Sequence, residues 1–138
     1  MIVVDTGGVI GLLDADDRHH RSLLQVFESS GTDWVIPWAV LPEVDHLARR
    51  RLGGRVARAF AEDVVARRLA IEWGTPRDLE RAVELDRRYA DLALGLVDAV
   101  VMAVAERLGA RAIVTLDVRD FGTVELGGSP EIWPRDLE

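Results

Sequence analysis

The chain has 138 residues and a mass of 15.3 kDa, so it is the size of one ordinary domain and can bury roughly two-thirds of its unfolded surface. It has no cysteine, which excludes disulfides, thiolate zinc sites, iron–sulfur clusters and cysteine nucleophiles. With 49% apolar and 30% charged residues it is globular, and no apolar run reaches the roughly 18–20 residues of a membrane span; its net charge of −7 excludes a uniformly basic surface.

In chain order, Ile2-Val3-Val4 is a short β-branched run ending in Asp5 and reads as a buried strand. Asp16 or Asp17 is positioned to cap a helix running to about Glu28, with Leu23, Leu24 and Phe27 on one face. Trp34-Val35-Ile36, stopped by Pro37, is a second strand. Pro42 sits where a first helical turn is expected and opens a helix through about Arg51. Gly53-Gly54 breaks it, and a further helix runs to about Arg68. Leu69 to Trp73 is a third strand closed by Gly74, and Pro76 to about Tyr89 is amphipathic. Leu96 to Leu108 is a helix, apolar nearly all round at its start and therefore central, with Gly109 as its C-cap. Ala112 to Thr115 is a fourth strand, and Glu131-Ile132-Trp133 a short last one. Strands alternating with helices predict an α/β fold, a single domain over residues 1–138 with a mostly parallel sheet covered on both faces. Ligands on such sheets bind at the carboxyl ends of the strands, where the strand order reverses.

Acids gather at that edge. Asp5 closes the first strand, Asp117 lies just past the fourth, and Glu43 falls in the first turn of the helix after the second. One acid at a strand end is commonly a helix cap; three at equivalent positions point to a site. Asp98 is the most informative residue, because it is the only polar side chain between Ala93 and Ala105. A carboxylate in such surroundings costs several kcal/mol unless a cation meets it. The explanation is a partner arginine, a hydrogen-bonded cap near Gly95, or a metal ion shared with the other acids. Carboxylates without histidine or cysteine select Mg²⁺ or Mn²⁺ over zinc. Clustered acids repel one another, so removing Asp5 or Asp98 is expected to leave the fold in place.

Thr6 and Thr115 flank the edge and are candidate accessory hydroxyls; Asp91 and Asp120 are either outer acids of the site or, as is commoner, solvated or capping residues. His19 and His20 read as exposed. All 17 basic residues are arginine, the better bidentate phosphate ligand. Arg49 and Arg50, with Arg51, Arg55 and Arg58 nearby, form either a solvated helix face or a phosphate track leading toward Glu43, with Arg50 seven residues along from it.

The ordered set resembles the PIN-domain ribonucleases, and within them the VapC toxins of bacterial toxin–antitoxin pairs. The residues that carry the resemblance are Ile-Val-Val-Asp5-Thr6, Leu-Pro-Glu43-Val, Asp91-Leu-Ala-Leu-Gly-Leu-Val-Asp98-Ala-Val, and Thr115-Leu-Asp117-Val-Arg-Asp120-Phe121, spanning Val3 to Phe121. Gly7-Gly8 replaces the commoner small pair after Asp5-Thr6, and Ala follows Asp91-Leu where Pro is frequent; neither departure touches an acid. The resemblance implies a three-layer α/β/α sandwich around about five strands. It implies Mg²⁺-dependent (or Mn²⁺-dependent) cleavage of RNA, with Asp5, Glu43, Asp98 and Asp117 as catalytic metal ligands. It also implies a cognate antitoxin partner and a homodimer.

Other readings fit less well. Asp5-Thr6-Gly7 matches the aspartic-protease signature, but those enzymes are all-β. A phosphatase with an Asp nucleophile needs a second Asp where Gly7 stands, and Gly8 to Gly11 makes no dinucleotide or P-loop fingerprint. A non-catalytic module that only engages an antitoxin or RNA is the remaining alternative. With no membrane span and an N-terminus lacking a basic lead or cleavage pattern, the sequence predicts a cytoplasmic protein.

Overall fold

The computed structural model describes residues 1–137. Five parallel strands form one sheet in the order β3-β2-β1-β4-β5: β1 Ile2–Val4, β2 Trp34–Pro37, β3 Ala70–Glu72, β4 Ala112–Val114 and β5 Glu131–Trp133. β1 is central and fully buried on both faces, which is why it reads as an unbroken β-branched run and not as an alternation. Ile2 pairs with both Trp34 and Ala112, so Asp5 stands at the carboxyl edge beside the ends of β2 and β4.

The chain steps from β1 outward through β2 to β3, then crosses back to β4 and β5. Right-handed crossovers place helices on one face for the outward steps and on the other for the return. On the first face, α1 (Thr6–Leu13) packs on α2 (His20–Ser30) and α3 (Val40–Leu52), and α3 on α4 (Gly54–Val65). The return is made by α5 (Pro76–Arg88) and α6 (Leu96–Leu108), which pack tightly together, and α7 (Val118–Thr123) joins β4 to β5. α6 buries every residue from Ala99 to Ala105, between the sheet and α5. The expected three-layer α/β/α sandwich with a parallel five-stranded sheet is present.

Several expectations need correction. α1 and α7 were not anticipated: Thr-Gly-Gly-Val-Ile-Gly-Leu-Leu carries three glycines, which argue against helix on propensity alone. α2 starts at His20, after both candidate caps. The Oδ1 atoms of Asp14 and Asp17 instead accept the amides of Asp16 and His19, at 3.0 and 2.7 Å, and shape the turn before the helix. His19 and His20 are half-buried and not exposed; the His20 ring hydrogen-bonds the Gly11 carbonyl through Nδ1 at 3.1 Å, fastening α2 to α1. α4 ends at Val65, short of Arg68.

Ion pairs lock α5 against α6. Arg107 donates to Asp78 at 2.7 and 3.1 Å and to Glu72 at 2.8 Å, while Arg81 donates to Glu106 at 2.7 and 3.2 Å. Burial pushes the Asp78 carboxyl up, but the Arg107 hydrogen bonds and the Thr75 amide more than reverse this and hold it below the usual carboxylate range. On the opposite face, α1 meets the sheet with almost no gap. A Cβ on Gly8 would lie 2.8 Å from the Val114 carbonyl oxygen and 3.0 Å from Val4 Cγ1, whereas one on Gly7 would meet nothing closer than 3.5 Å. Gly8→Ala is therefore expected to destabilise the protein by about 1–3 kcal/mol through overpacking. Gly7→Ala should be neutral or stabilising by about 0.5–1 kcal/mol, as for an unobstructed helical glycine. Thermal melts of the two variants read the difference; equal melting temperatures would contradict the close approach.

Candidate active site

The strand-end acids are held by short hydrogen bonds that follow directly from the local sequence. Asp5 terminates β1 and is the N-cap of α1, its Oδ1 accepting the Gly8 amide at 3.0 Å. Its Oδ2 accepts the hydroxyl of the fully buried Thr115 at 2.6 Å, across 110 residues of sequence. The same Thr115 Oγ1 accepts the Asp117 amide at 3.0 Å, and Asp117 in turn caps α7 by accepting the Asp120 amide at 3.1 Å. Glu43 and Asp98 each occupy the first turn of a helix, α3 and α6. Each therefore gains from the amino-terminal end of a helix dipole, which favours negative charge there.

Asp5, Glu43, Asp98 and Asp117 all line one cavity of about 570 Å³, together with the apolar Ile10, Leu47 and Leu116. Thr6 lines it as well. Asp98 makes no ion pair among the described residues, so the partner-arginine alternative for this buried-helix acid does not hold. Burial, reinforced by repulsion from Asp5, Asp117, Glu43 and Asp120, pushes its carboxyl up to about 7. Burial also pushes Asp5 up to about 6, against the lowering effect of the Thr115 and Gly8 hydrogen bonds. A pair of acids displaced upward in one cleft marks a place where charge has been gathered against its own repulsion.

The donor chemistry suits a hard divalent cation. Carboxylate oxygens of Asp98, Asp117 and Asp120 lie within 4.8 Å of one another, and neither imidazole nor thiolate lines the cavity. Such an oxygen-only set selects Mg²⁺ or Mn²⁺ over zinc. Thr6 Oγ1 supplies a second, independent observation. It is buried with no hydrogen-bond partner, at a cost of about 1–3 kcal/mol for an unsatisfied group, and its residue lines the acidic cavity.

Not every sequence candidate comes to this place. Asp91 is exposed in a 3₁₀ turn, Ala90–Leu92, and does not line the cavity. Arg49 is tied to Asp45 on its own helix at 2.9 Å, and Arg50 does not line the cavity; Arg51 does. Asp120, read from sequence as an outer acid, approaches Asp98 and Asp117. Asp17, read only as a helix cap, also lines the cavity. The sequence signals for Asp120 were its spacing of three from Asp117 and its place before Phe121 in the segment that carries the family resemblance. Asp98 makes no hydrogen bond among the described residues, whereas Asp5 is a cap and a partner of Thr115, so the expectation that Asp5 can be removed with the fold left in place meets a structural cost.

Comparison with known proteins agrees with this geometry. Ribonuclease VapC26 of Mycobacterium tuberculosis is 26% identical over 128 residues, covering 92% of this chain and 95% of the relative. The crystal structure of M. tuberculosis VapC20, described as a sarcin–ricin-loop-cleaving toxin, is 26% identical. It superimposes with a TM-score of 0.83 over 93% of this chain and 98% of the other. A DNA-bound VapBC complex from Salmonella typhimurium shares the fold at 20% identity, with a TM-score of 0.70 and 95% of each chain covered. The PIN domain family model matches residues 2–125, from the first residue of β1 to just past α7, and so takes in every acid of the cavity. On that match the chain belongs to the PIN domain family.

Proposed function

We propose that the protein is a divalent-cation-dependent endoribonuclease, the toxin of a VapBC-type toxin–antitoxin pair, with Mg²⁺ or Mn²⁺ as its cofactor. The observation that carries this reading is the convergence of Asp5, Glu43, Asp98 and Asp117, from four separate elements, on one cavity. The likeness to VapC26 and VapC20 supports RNA as the substrate. The likeness to VapBC complexes supports a cognate antitoxin as a partner, and a homodimer belongs to the same proposal.

Asp98, Asp117 and Asp120 would hold the cation, with Asp5 and Glu43 lining the same cavity as further carboxylate donors. A divalent ion there supplies Lewis-acid stabilisation of the charge developing on a phosphodiester and acidifies an attacking water. The chain's own groups do the rest. Asp5 is locked by two hydrogen bonds, so its carboxylate presents fixed oxygens and cannot swing away. Asp98, with its carboxyl up to about 7, carries a proton much of the time at neutral pH and gives it up when positive charge enters the cluster. The free Thr6 hydroxyl can donate to a phosphate oxygen or position a water.

Two outcomes test the reading. Asp98→Asn is expected to lower RNA cleavage by about 100-fold or more, in line with loss of one group stabilising transition-state charge. Its melting temperature should match or exceed that of the wild type. An RNA hairpin with the sequence of the sarcin–ricin loop is a natural first substrate, beside single-stranded RNA. For Asp5 the informative comparison is Asn against Ala. Asn keeps the cap acceptor, so Ala should be the less stable by about 1 kcal/mol, while both lose activity. Unfolding of Asp98→Asn would make that acid structural and overturn its catalytic role.

The second outcome concerns pH. The folded Asp5 and Asp98 carboxyls bind protons more tightly than the ordinary value of 3.8, so between about pH 4 and 7 the folded state holds more protons than the unfolded one. Stability in EDTA should therefore fall as pH rises from about 4 and level off above about 7. Millimolar Mn²⁺ should raise the melting temperature and most strongly above pH 7, by mass action on the native state. Asp98→Asn should flatten both effects. A melting temperature that ignores divalent ions across this range would sink the cation site.

A further inference from the structure

We propose that Arg51 is the phosphate-binding residue of this cavity, holding the RNA backbone one or two nucleotides away from the point of cleavage. The inference rests on the ribonuclease reading above and extends it to a named contact. Glu43, Leu47 and Arg51 follow one another at intervals of four on α3, so they make one stripe along the helix, and all three line the cavity. Eight residues at about 1.5 Å each put Arg51 roughly 12 Å along the axis from Glu43. That separation suits a neighbouring phosphate and not the one being cleaved. Leu47 lies between the two, and with Ile10 and Leu116 it gives an apolar wall against which a ribose or base can rest.

The state of the Arg51 side chain is the second observation. It is exposed and makes no ion pair among the described residues, although Asp5, Asp17, Glu43, Asp98 and Asp117 line the same cavity. The arginines with structural work are spoken for: Arg49 by Asp45, Arg81 by Glu106, Arg107 by Asp78 and Glu72. The carboxyl-end dipole of α3 explains why Arg49, Arg50 and Arg51 share its last turn. It does not explain why one of them reaches the acidic cavity and stays unpaired. A guanidinium left free at the rim offers a planar, bidentate fork of donors to an arriving phosphate.

The test is RNA binding read apart from cleavage. A short, labelled single-stranded RNA is titrated by fluorescence anisotropy in EDTA between about 50 and 200 mM salt. Arg51→Ala should bind several-fold more weakly, with the slope of log K against log salt shallower by about 0.7, the value of one phosphate contact on a single strand. Arg51→Lys should restore the slope but not the whole affinity, because it keeps the charge and loses the fork. Arg87→Ala, an exposed arginine on α5, serves as the charge-matched control and should leave the slope unchanged. With Mn²⁺ present, Arg51→Ala should raise KM more than it lowers kcat, since the contact is remote from the reacting bond.

Wild-type protein that binds and cleaves, with an unchanged slope in Arg51→Ala, overturns this inference alone. Wild-type protein that neither binds nor cleaves RNA removes the ribonuclease reading and this inference with it. An unchanged RNA slope together with lost binding of a poly-glutamate peptide assigns Arg51 to a protein partner instead, and also overturns the proposal.

Discussion

The hydrogen bond from Thr115 Oγ1 to Asp5 Oδ2, 2.6 Å long and fully buried, is the joint on which the acidic edge depends. It ties the carboxyl end of β4 to that of β1 at the point where the strand order reverses. One hydroxyl does two jobs there, donating to Asp5 and accepting the Asp117 amide. The position of Asp117 is thus referred to that of Asp5 through a single oxygen atom. A valine in place of Thr115 would keep the shape and lose both bonds, leaving a carboxylate oxygen and an amide without partners. Gly8 completes the joint from the other side, because only a residue without Cβ lets α1 come down far enough for its amide to reach Asp5.

Gathering these carboxylates is costly. Two unit charges at 4.8 Å repel by roughly 3–4 kcal/mol at an effective dielectric near 20. A hydrogen bond to a charged group returns about 1.5–3 kcal/mol. Neither Thr115 nor Gly8 can therefore offset the repulsion alone, and it adds to the burial that pushes Asp5 and Asp98 up. The scaffold holds the acids together through burial elsewhere. α6, which carries Asp98 in its first turn, is anchored by seven consecutive buried residues and by the Arg107 and Arg81 ion pairs near its far end. The strain sits at one end of the helix and its anchorage at the other.

Much of this was legible in the sequence, and the part that was not has physical reasons. The strands were readable because parallel, doubly covered strands are short apolar runs. α6 was readable to the residue because Gly95 and Gly109 bracket it. Asp98 stood out since a carboxylate amid apolar residues demands an explanation. α1 was hidden because three glycines lower helix propensity, and only the approach to the sheet, a tertiary fact, explains why they are there. Asp120 was undervalued because a capping role and a ligand role look alike at that spacing. The choice of Arg51 over Arg50 turns on a helical step of about 100°, smaller than any uncertainty in where a helix begins when judged from sequence.

The charge balance of the cavity settles how an acidic protein can act on a polyanion. Five carboxylates and one arginine line it, a formal −4 within a chain of −7. A cavity with that field repels phosphate, so the carboxylates cannot recruit RNA by themselves. On the reading proposed above, the attraction comes from cations placed against them: a divalent ion among the acids and the Arg51 guanidinium. Because both the ion and the RNA backbone respond to the same field, each favours the other, and by linkage the coupling is reciprocal. The free hydroxyl of Thr6 and the free guanidinium of Arg51 then have a common meaning. Each is a hydrogen-bond donor at this cavity that the described residues leave without a partner.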